Sequence, residues 1–246
     1  MPKFENLISS EGSANNHSVD SCVEIVLAGE VLELHPQRCI WWAKEKTLII
    51  SDIHLGKSGH FRKHGIAIPT KVNASSLNRF ENLLRRYKPG RVLVLGDLFH
   101  SEINAEWAEF RNWLQRVYVN YSLKEFRLVE GNHDVLSDEA FDGMNVQRSE
   151  KWSRGPFDFV HDPIDFRSQD SPGRIGVAGH LHPAIRLSGK AKQQLHLPGW
   201  WFQANPQTLV MPNFGSFTGS SVVKIKAQDQ FWVCTKQSVM LVEQWA

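Results

Sequence analysis

The chain of 246 residues has little cysteine: Cys22, Cys39 and Cys234 are the only three. Their spacing matches no metal-binding motif, and an odd count argues against a closed disulfide framework. A reducing compartment, the cytoplasm, is the expected location. Long apolar runs are also missing: none approaches the roughly 18–20 residues a membrane-spanning helix needs, so no membrane partner is expected. The opening stretch MPKFENLISSEGSANNHSVD has no basic segment leading into an apolar one, which argues against a secretory signal. Its Ser- and Asn-rich composition predicts a mobile tail over 1–20. Internal repeats and long linkers are absent, so 21–246 is expected to be a single domain. Acid is scarce between Ile53 and Gly96, where nine Lys/Arg meet one Glu. That segment carries +8 in a chain whose net charge is +2, an asymmetry that suggests a polyanionic partner. A basic helix face serving solubility would look the same.

What is present is a rhythm of strands and helices. VEIVLAG and VLELHP read as strands, and CIWWAKEKTLIISD as a hairpin. In SSLNRFENLLRRYKPG, the residues Leu77, Phe80, Leu83, Leu84 and Tyr87 recur at helical spacing, and Pro89-Gly90 stops the pattern. RVLVLGD is a continuous apolar run, as in a strand covered on both faces. AEWAEFRNWLQRVY is helical again, with Trp107, Phe110, Trp113, Leu114 and Val117 on one side, an aromatic stripe read as core. FRLVEGNHD is the next strand. This order predicts parallel pairing with right-handed crossovers. Beyond Lys151 the helical signal fades and FDFVHDP, RIGVAGHLHP, QQLHLPGWWF, TLVMPNFG, SVVKI and FWVCT read as successive strands. The fold class is α/β with a largely β second half.

Chemistry gathers where these strands finish. LIISDIH ends in Asp52 and His54, two apart and therefore expected on one face of the strand. VLVLGDLFH ends in Asp97 and then His100; RLVEGNHD ends in Asn132, His133 and Asp134. FDFVHD ends in His161, and IGVAGHLH in His180 and His182. A lone histidine such as His161 is more often structural than functional, and GNHD alone could be a turn. Five such endings together are hard to explain as packing, because burying that much polarity unpartnered costs several kcal/mol per group. Metal ions would satisfy it. The donors are N and O without thiolate, which suits Mn, Fe, Zn or Co better than Ca or Mg. Asp52, Asp97, Asn132, His54, His161, His180 and His182 make seven candidate ligands, which exceed one tetrahedral site and fit two ions sharing a carboxylate. Two divalent cations against two aspartates leave positive charge, so the expected substrate is an anion such as phosphate.

In this order, the blocks D-x-H, G-D, G-N-H-D, H and G-H-x-H resemble those of the calcineurin-like metallophosphoesterase superfamily. The resemblance implies a four-layer αββα sandwich of two mixed sheets with a di-metal centre at their edges. It implies one ion on Asp52, His54, Asp97 and His182, and a second on Asp97, Asn132, His161 and His180, with Asp97 bridging. His133 would protonate the leaving oxygen, and Asp134 would orient it. A narrower resemblance, carried by SDIHLGK, GHFRKHGIAIP and PNFGSFTG, is to the bacterial DNA-ligase-associated phosphoesterases. It implies a phosphodiesterase or endonuclease of DNA repair, Mn as the favoured metal, a nucleic acid substrate, and DNA ligase or helicase partners. Lys57, His60, Arg62, His64 and His100 are the candidates for substrate contact. The competing readings are hydrolysis of a small nucleotide or pyrophosphate-linked metabolite, and a scaffold without catalysis; the complete ligand set disfavours the scaffold.

Overall fold

The computed structural model describes residues 20–56, 71–99, 103–188, 193–215 and 218–242, with the side chains of 71–74 excepted. The tail 1–19 and the candidates Lys57, His60, Arg62, His64 and His100 lie outside the described residues.

The first sheet has seven strands in sequence order. β1 (Val23–Leu27), β2 (Glu30–His35), β3 (Cys39–Trp42) and β4 (Thr47–Ser51) form an antiparallel meander. β4, β5 (Arg91–Leu95), β6 (Glu125–Val129) and β7 (Val146–Ser149) then run parallel. The crossovers are the helices α1 (Lys71–Tyr87) and α2 (Ala105–Asn120). α2 starts where the Asn104 side chain accepts from the backbone N–H groups of Glu106 and Trp107, a cap that contributes about 1 kcal/mol. α1 stops before Pro89, as the sequence predicts.

Both faces of the parallel strands are buried, which is why they read as unbroken apolar runs. Leu48, Ile50, Val92, Val94, Phe126 and Leu128 face the helices, where Phe80, Leu83, Leu84 and the Trp107–Val117 stripe pack. Ile49, Leu93, Leu95 and Val129 face the other way, onto the second sheet.

The second sheet is mixed. Its spine is β8 (Trp152–Arg154), β9 (Phe157–Phe159), β10 (Ile175–Ala178), β13 (Gln207–Val210), β12 (Gln194–Ala204), β11 (Pro183–Ser188) and β14 (Ser221–Val222), in that spatial order. β15 (Gln230–Cys234) adds to β12 and carries β16 (Val239–Leu241). β9, β10 and β13 are parallel. Phe157, Phe159, Ile175, Val177, Leu209 and Met211 meet the first sheet across a shared core. On the outer face, Phe166 packs on Val160 and Ala178, just after a 3-10 turn at Pro163–Asp165. The two mixed sheets pack face to face as the αββα expectation requires, but among the described residues both α-helices cover the first sheet, and the outer layer over the second is only the 3-10 turn with Phe166. No helix among the described residues is long and apolar enough to cross a membrane.

Candidate metal centre

Two sheets, not one, supply the polar strand ends. The loops after β4, β5 and β6 bring Asp52, His54, Asp97, Asn132 and His133; those after β9 and β10 bring His161, His180 and His182. The pleat does not place Asp52 and His54 on one face, because β4 ends at Ser51. Both residues have turned to positive φ (52° and 51°), as have Asp97, His180 and His182 (51°, 65° and 45°). Non-glycine residues seldom adopt this region, and such strain clusters at functional sites.

The turns bring the side chains together. One donor atom each from Asp52, His54 and His182 lies within 4.8 Å of the others, and the same holds for Asp97, His161 and His180. Asp97 lies between the groups: its Oδ2 is 3.4 Å from His54 Nε2 and its Oδ1 3.5 Å from His161 Nε2. Asn132 Oδ1 is 3.2 Å from His161 Nε2. Asp52, Asp97, His54 and His161 are buried.

Hydrogen bonds aim the imidazoles. His161 Nδ1 lies 3.0 Å from the Leu95 carbonyl and His182 Nδ1 2.9 Å from that of Gly219. A carbonyl only accepts, so each Nδ1 carries the proton and each Nε2 presents a lone pair. His182 Nε2 stands 3.1 Å from Asp52 Oδ1. His180 turns Nδ1 to within 3.1 Å of His161 Nε2, while its Nε2 lies 3.5 Å from Asp162 Oδ2. Around His161 Nε2 the oxygens of Asp97 and Asn132 and the Nδ1 of His180 thus converge, with at most one proton, that of His180, to share. A cation fits such a cluster, and the N/O donor set suits a divalent transition metal.

Electrostatics reinforce the pairing. Burial works against ionisation of Asp52, but His182 outweighs it and holds the carboxyl below its ordinary value. Burial likewise opposes a charge on His182, yet Asp52 and the Gly219 carbonyl raise its proton affinity. A cation would take the place of that proton.

Glycines make room for these groups. A Cβ on Gly131 would stand 2.4 Å from Asp97 Oδ1, and one on Gly179 2.6 Å from Asp52 Oδ2. One on Gly96, itself at φ +73°, would stand 2.0 Å from His161 Nδ1. His133 sits beside the cluster: its backbone N–H donates to Asp97 Oδ1 at 3.0 Å and its ring centroid is 5.6 Å from that of His54. Asp134 accepts three backbone N–H groups, from Leu98 (2.9 Å), Phe99 (3.2 Å) and Gly131 (2.9 Å). It therefore ties the loop after β5 to the loop after β6. Burial pushes its carboxyl up to about 6, against the pull of those donors.

Sequence reasoning assigned no role to the stretch after β13. Phe214 N–H donates to the Ser51 carbonyl (2.7 Å) and Gly215 N–H to that of Asp52 (2.9 Å). The buried Asn213 amide shapes this turn by donating to the Gly215 carbonyl (2.7 Å) and to the Thr218 hydroxyl. Gly219 then supplies the carbonyl that aims His182. The quoted PNFGSFTG was the available signal; backbone acceptors leave no other trace in a sequence.

Among the described residues the basic segment does not form one patch. Arg79 is half-buried with its guanidinium 4.1 Å from the Phe214 ring centroid, while Lys88 and Arg91 lie at the opposite ends of the parallel strands.

Comparison with known proteins agrees with this geometry. A family model described as calcineurin-like phosphoesterase matches residues 45–223. Among solved structures, a nuclease MPE from Pseudomonas putida is similar at 24% identity and a TM-score of 0.73, covering 90% of this chain and 100% of that one. A protein of unknown function from Aquifex aeolicus matches at 20% identity and a TM-score of 0.37, over 55% of this chain and 78% of its own. No curated protein matches the chain in sequence.

Proposed function

The chain belongs to the calcineurin-like phosphoesterase family, metal-dependent hydrolases of phosphate esters, and we propose that its substrate is a phosphodiester of nucleic acid. The observation that carries the metal-dependent hydrolysis is the pair of three-residue donor groups joined across Asp97. In this reading Asp52, His54, Asp97 and His182 would hold one ion, and Asp97, Asn132, His161 and His180 would hold the other. Mn is the favoured metal. When bound, the ions supply positive charge that polarises a phosphoryl oxygen and stabilises the charge developing on attacking and leaving oxygens.

The chain's own residues do the rest. The carbonyls of Leu95 and Gly219 keep His161 and His182 in the Nδ1–H tautomer, so their Nε2 atoms stay turned to the site. His133 hangs from Asp97 through its backbone, beside the donor cluster, and donates a proton to the leaving oxygen. Asp134 holds the loop that carries His133. The nuclease among the structural neighbours supports a polynucleotide over a metabolite. A DNA-repair role is proposed on the same footing.

The test offers an aryl phosphodiester, an aryl phosphomonoester and plasmid DNA in parallel, with Mn, Zn, Fe or Mg added in turn. Diester turnover with plasmid nicking, best in Mn, is expected. Preference for the monoester with intact plasmid would overturn the reading in favour of a small-metabolite phosphohydrolase.

A further inference from the structure

The pole of the first sheet opposite the metal centre holds a cleft of about 860 Å³. Its floor is three turns sewn together where β4, β5 and β6 begin. Gly90 and Arg91 N–H donate to the Lys46 carbonyl (2.9 and 3.2 Å), and Lys124 and Glu125 N–H donate to that of Gly90 (2.9 and 3.2 Å). Its walls carry Lys44, Lys46, Arg85, Lys88, Arg91, Lys124 and Arg154 against only Glu45 and Glu125.

The two carboxylates are already engaged. Glu125 takes Arg91 and Arg127 (2.6 and 2.9 Å), and Glu45 takes Arg154 (2.8 Å). Lys44 reaches Glu30, and Arg85 reaches Glu81. Lys46, Lys88 and Lys124 are exposed and have no carboxylate partner among the described residues. Two of them also occupy awkward backbone. Lys46 and Lys88 have φ of 47° and 45°, a region where Gly or Asn is the ordinary choice. The end of α1 accounts for a cation near Lys88, through the helix dipole. It does not account for Lys46 or Lys124, which sit on turns leading into β4 and β6.

We propose that this cleft binds consecutive phosphates of a polynucleotide chain, as a second contact remote from the metal centre. The inference rests on the nucleic-acid reading above. Five residues of strand separate the poles, roughly 17 Å at about 3.3 Å per residue. With stacked nucleotides rising about 3.4 Å each, a chain held at the metals spans that distance in about five nucleotides. The cleft therefore favours long substrates and is silent toward a small diester.

The test measures binding of the metal-loaded protein to a fluorescent phosphorothioate 20-mer, which resists cleavage, over a series of salt concentrations. The variant is Lys46→Gln/Lys88→Gln/Lys124→Gln. The control, Lys224→Gln/Lys226→Gln/Lys236→Gln, removes the same charge elsewhere on the surface. Removing three phosphate contacts should flatten the log–log salt slope by about 2–3 and weaken binding at least about tenfold near 0.1 M salt. The control should keep the native slope, and both variants should turn over the aryl diester normally. Native slope and affinity in the cleft variant, or equal losses in the control, overturn the proposal while leaving the nuclease reading standing. Displacement of the 20-mer by an equimolar amount of inorganic tripolyphosphate overturns it in favour of a free-polyphosphate site. Absence of 20-mer binding by the native protein removes the nucleic-acid reading and this proposal together.

Discussion

Gly131→Ala probes how tightly the backbone fits the proposed bridging carboxylate. The added Cβ would stand 2.4 Å from Asp97 Oδ1, 2.5 Å from Asp97 N and 3.0 Å from His161 Cε1. Real Cβ contacts essentially never fall under 3.0 Å, so the oxygen must retreat by at least about 0.6 Å. A rotamer change cannot relieve the clash with Asp97 N, because that atom is backbone. Metal–ligand distances tolerate only about ±0.2 Å, so a shift of this size moves Asp97 out of bonding range. Loss of a supporting contact alone typically costs 10–100-fold in metal affinity, and displacement of a shared ligand should cost at least as much, for both ions. The assay is metal content by mass spectrometry after dialysis against a weak chelator, with thermal melting in the metal-free state as a fold control. A variant that melts normally and retains two ions would refute the shared role of Asp97 and the close approach of Gly131.

Other expectations follow from the same geometry. Asp97→Ala should lose both ions, whereas Asp52→Ala should lose one, counted in the same metal analysis. His133→Asn should keep its metals and lose about 10²–10⁴ in diester turnover, the usual range for a general acid; equal losses on activated and unactivated leaving groups would rule out proton donation. Asn213→Ala should release the turn that holds Ser51 and Asp52, lowering metal occupancy while the tryptophan emission of the core stays native; full occupancy would show that the turn stands without its amide. Burial, aided by Arg86, holds His35 down at about 4, below the ordinary 6.5, so the unfolded chain binds this proton more readily. Stability should be full above about pH 6.5 and fall by up to about 3 kcal/mol as pH drops toward 4. Urea titrations of the native protein and of His35→Gln should differ in that window; identical slopes with pH would count against it.

Much of the site was legible because polar residues that end apolar strands have no packing reason to be there. Asp52, Asp97, His161 and His180 follow runs whose every other feature signals a buried strand, and the structure brings them together as that pattern implied. The helices were legible for a similar reason: Trp107, Phe110, Trp113, Leu114 and Val117 are all buried, as their spacing required. Elements at the edges were not. β7 and β8 are short and partly exposed, with no alternation to mark them, and SVVKI shrinks to the exposed pair Ser221–Val222. β11 starts on Pro183, a residue that ordinarily speaks against a strand and is tolerated here at its first position. Charge was legible in amount but not in place. Arg79, Lys88 and Arg91 are close in sequence, yet one stacks on Phe214 and two lie at the far pole.

The left-handed turns at Asp52, His54, Asp97, His180 and His182 need something to hold them, because each costs roughly 1–2 kcal/mol in isolation. The holding is done largely by backbone. Asp52 N–H donates to the Gly96 carbonyl (3.1 Å), His54 N–H to that of Asp97 (2.8 Å), and Leu55 N–H to that of Leu98 (2.9 Å), so the exits of β4 and β5 are laced together. Gly179 N–H donates to the His161 carbonyl (3.0 Å), which joins the exits of β9 and β10. Phe214 and Gly215 then cross from the second sheet to the exit of β4 in the first, and His180 N–H reaches the Asp52 carboxylate at 3.1 Å. No single strand end is a donor group by itself: Asp52 and His54 need His182 from the other sheet, and Asp97 needs His161 and His180. The strain is tolerable because two sheets over-determine it. The Phe214 ring is buried on the helix side of the first sheet, against Phe80, so a disturbance of its backbone contact to Ser51 should reach the metal donors before it reaches the separate core between the sheets, which is closed by Leu93, Leu95, Phe159 and Val177.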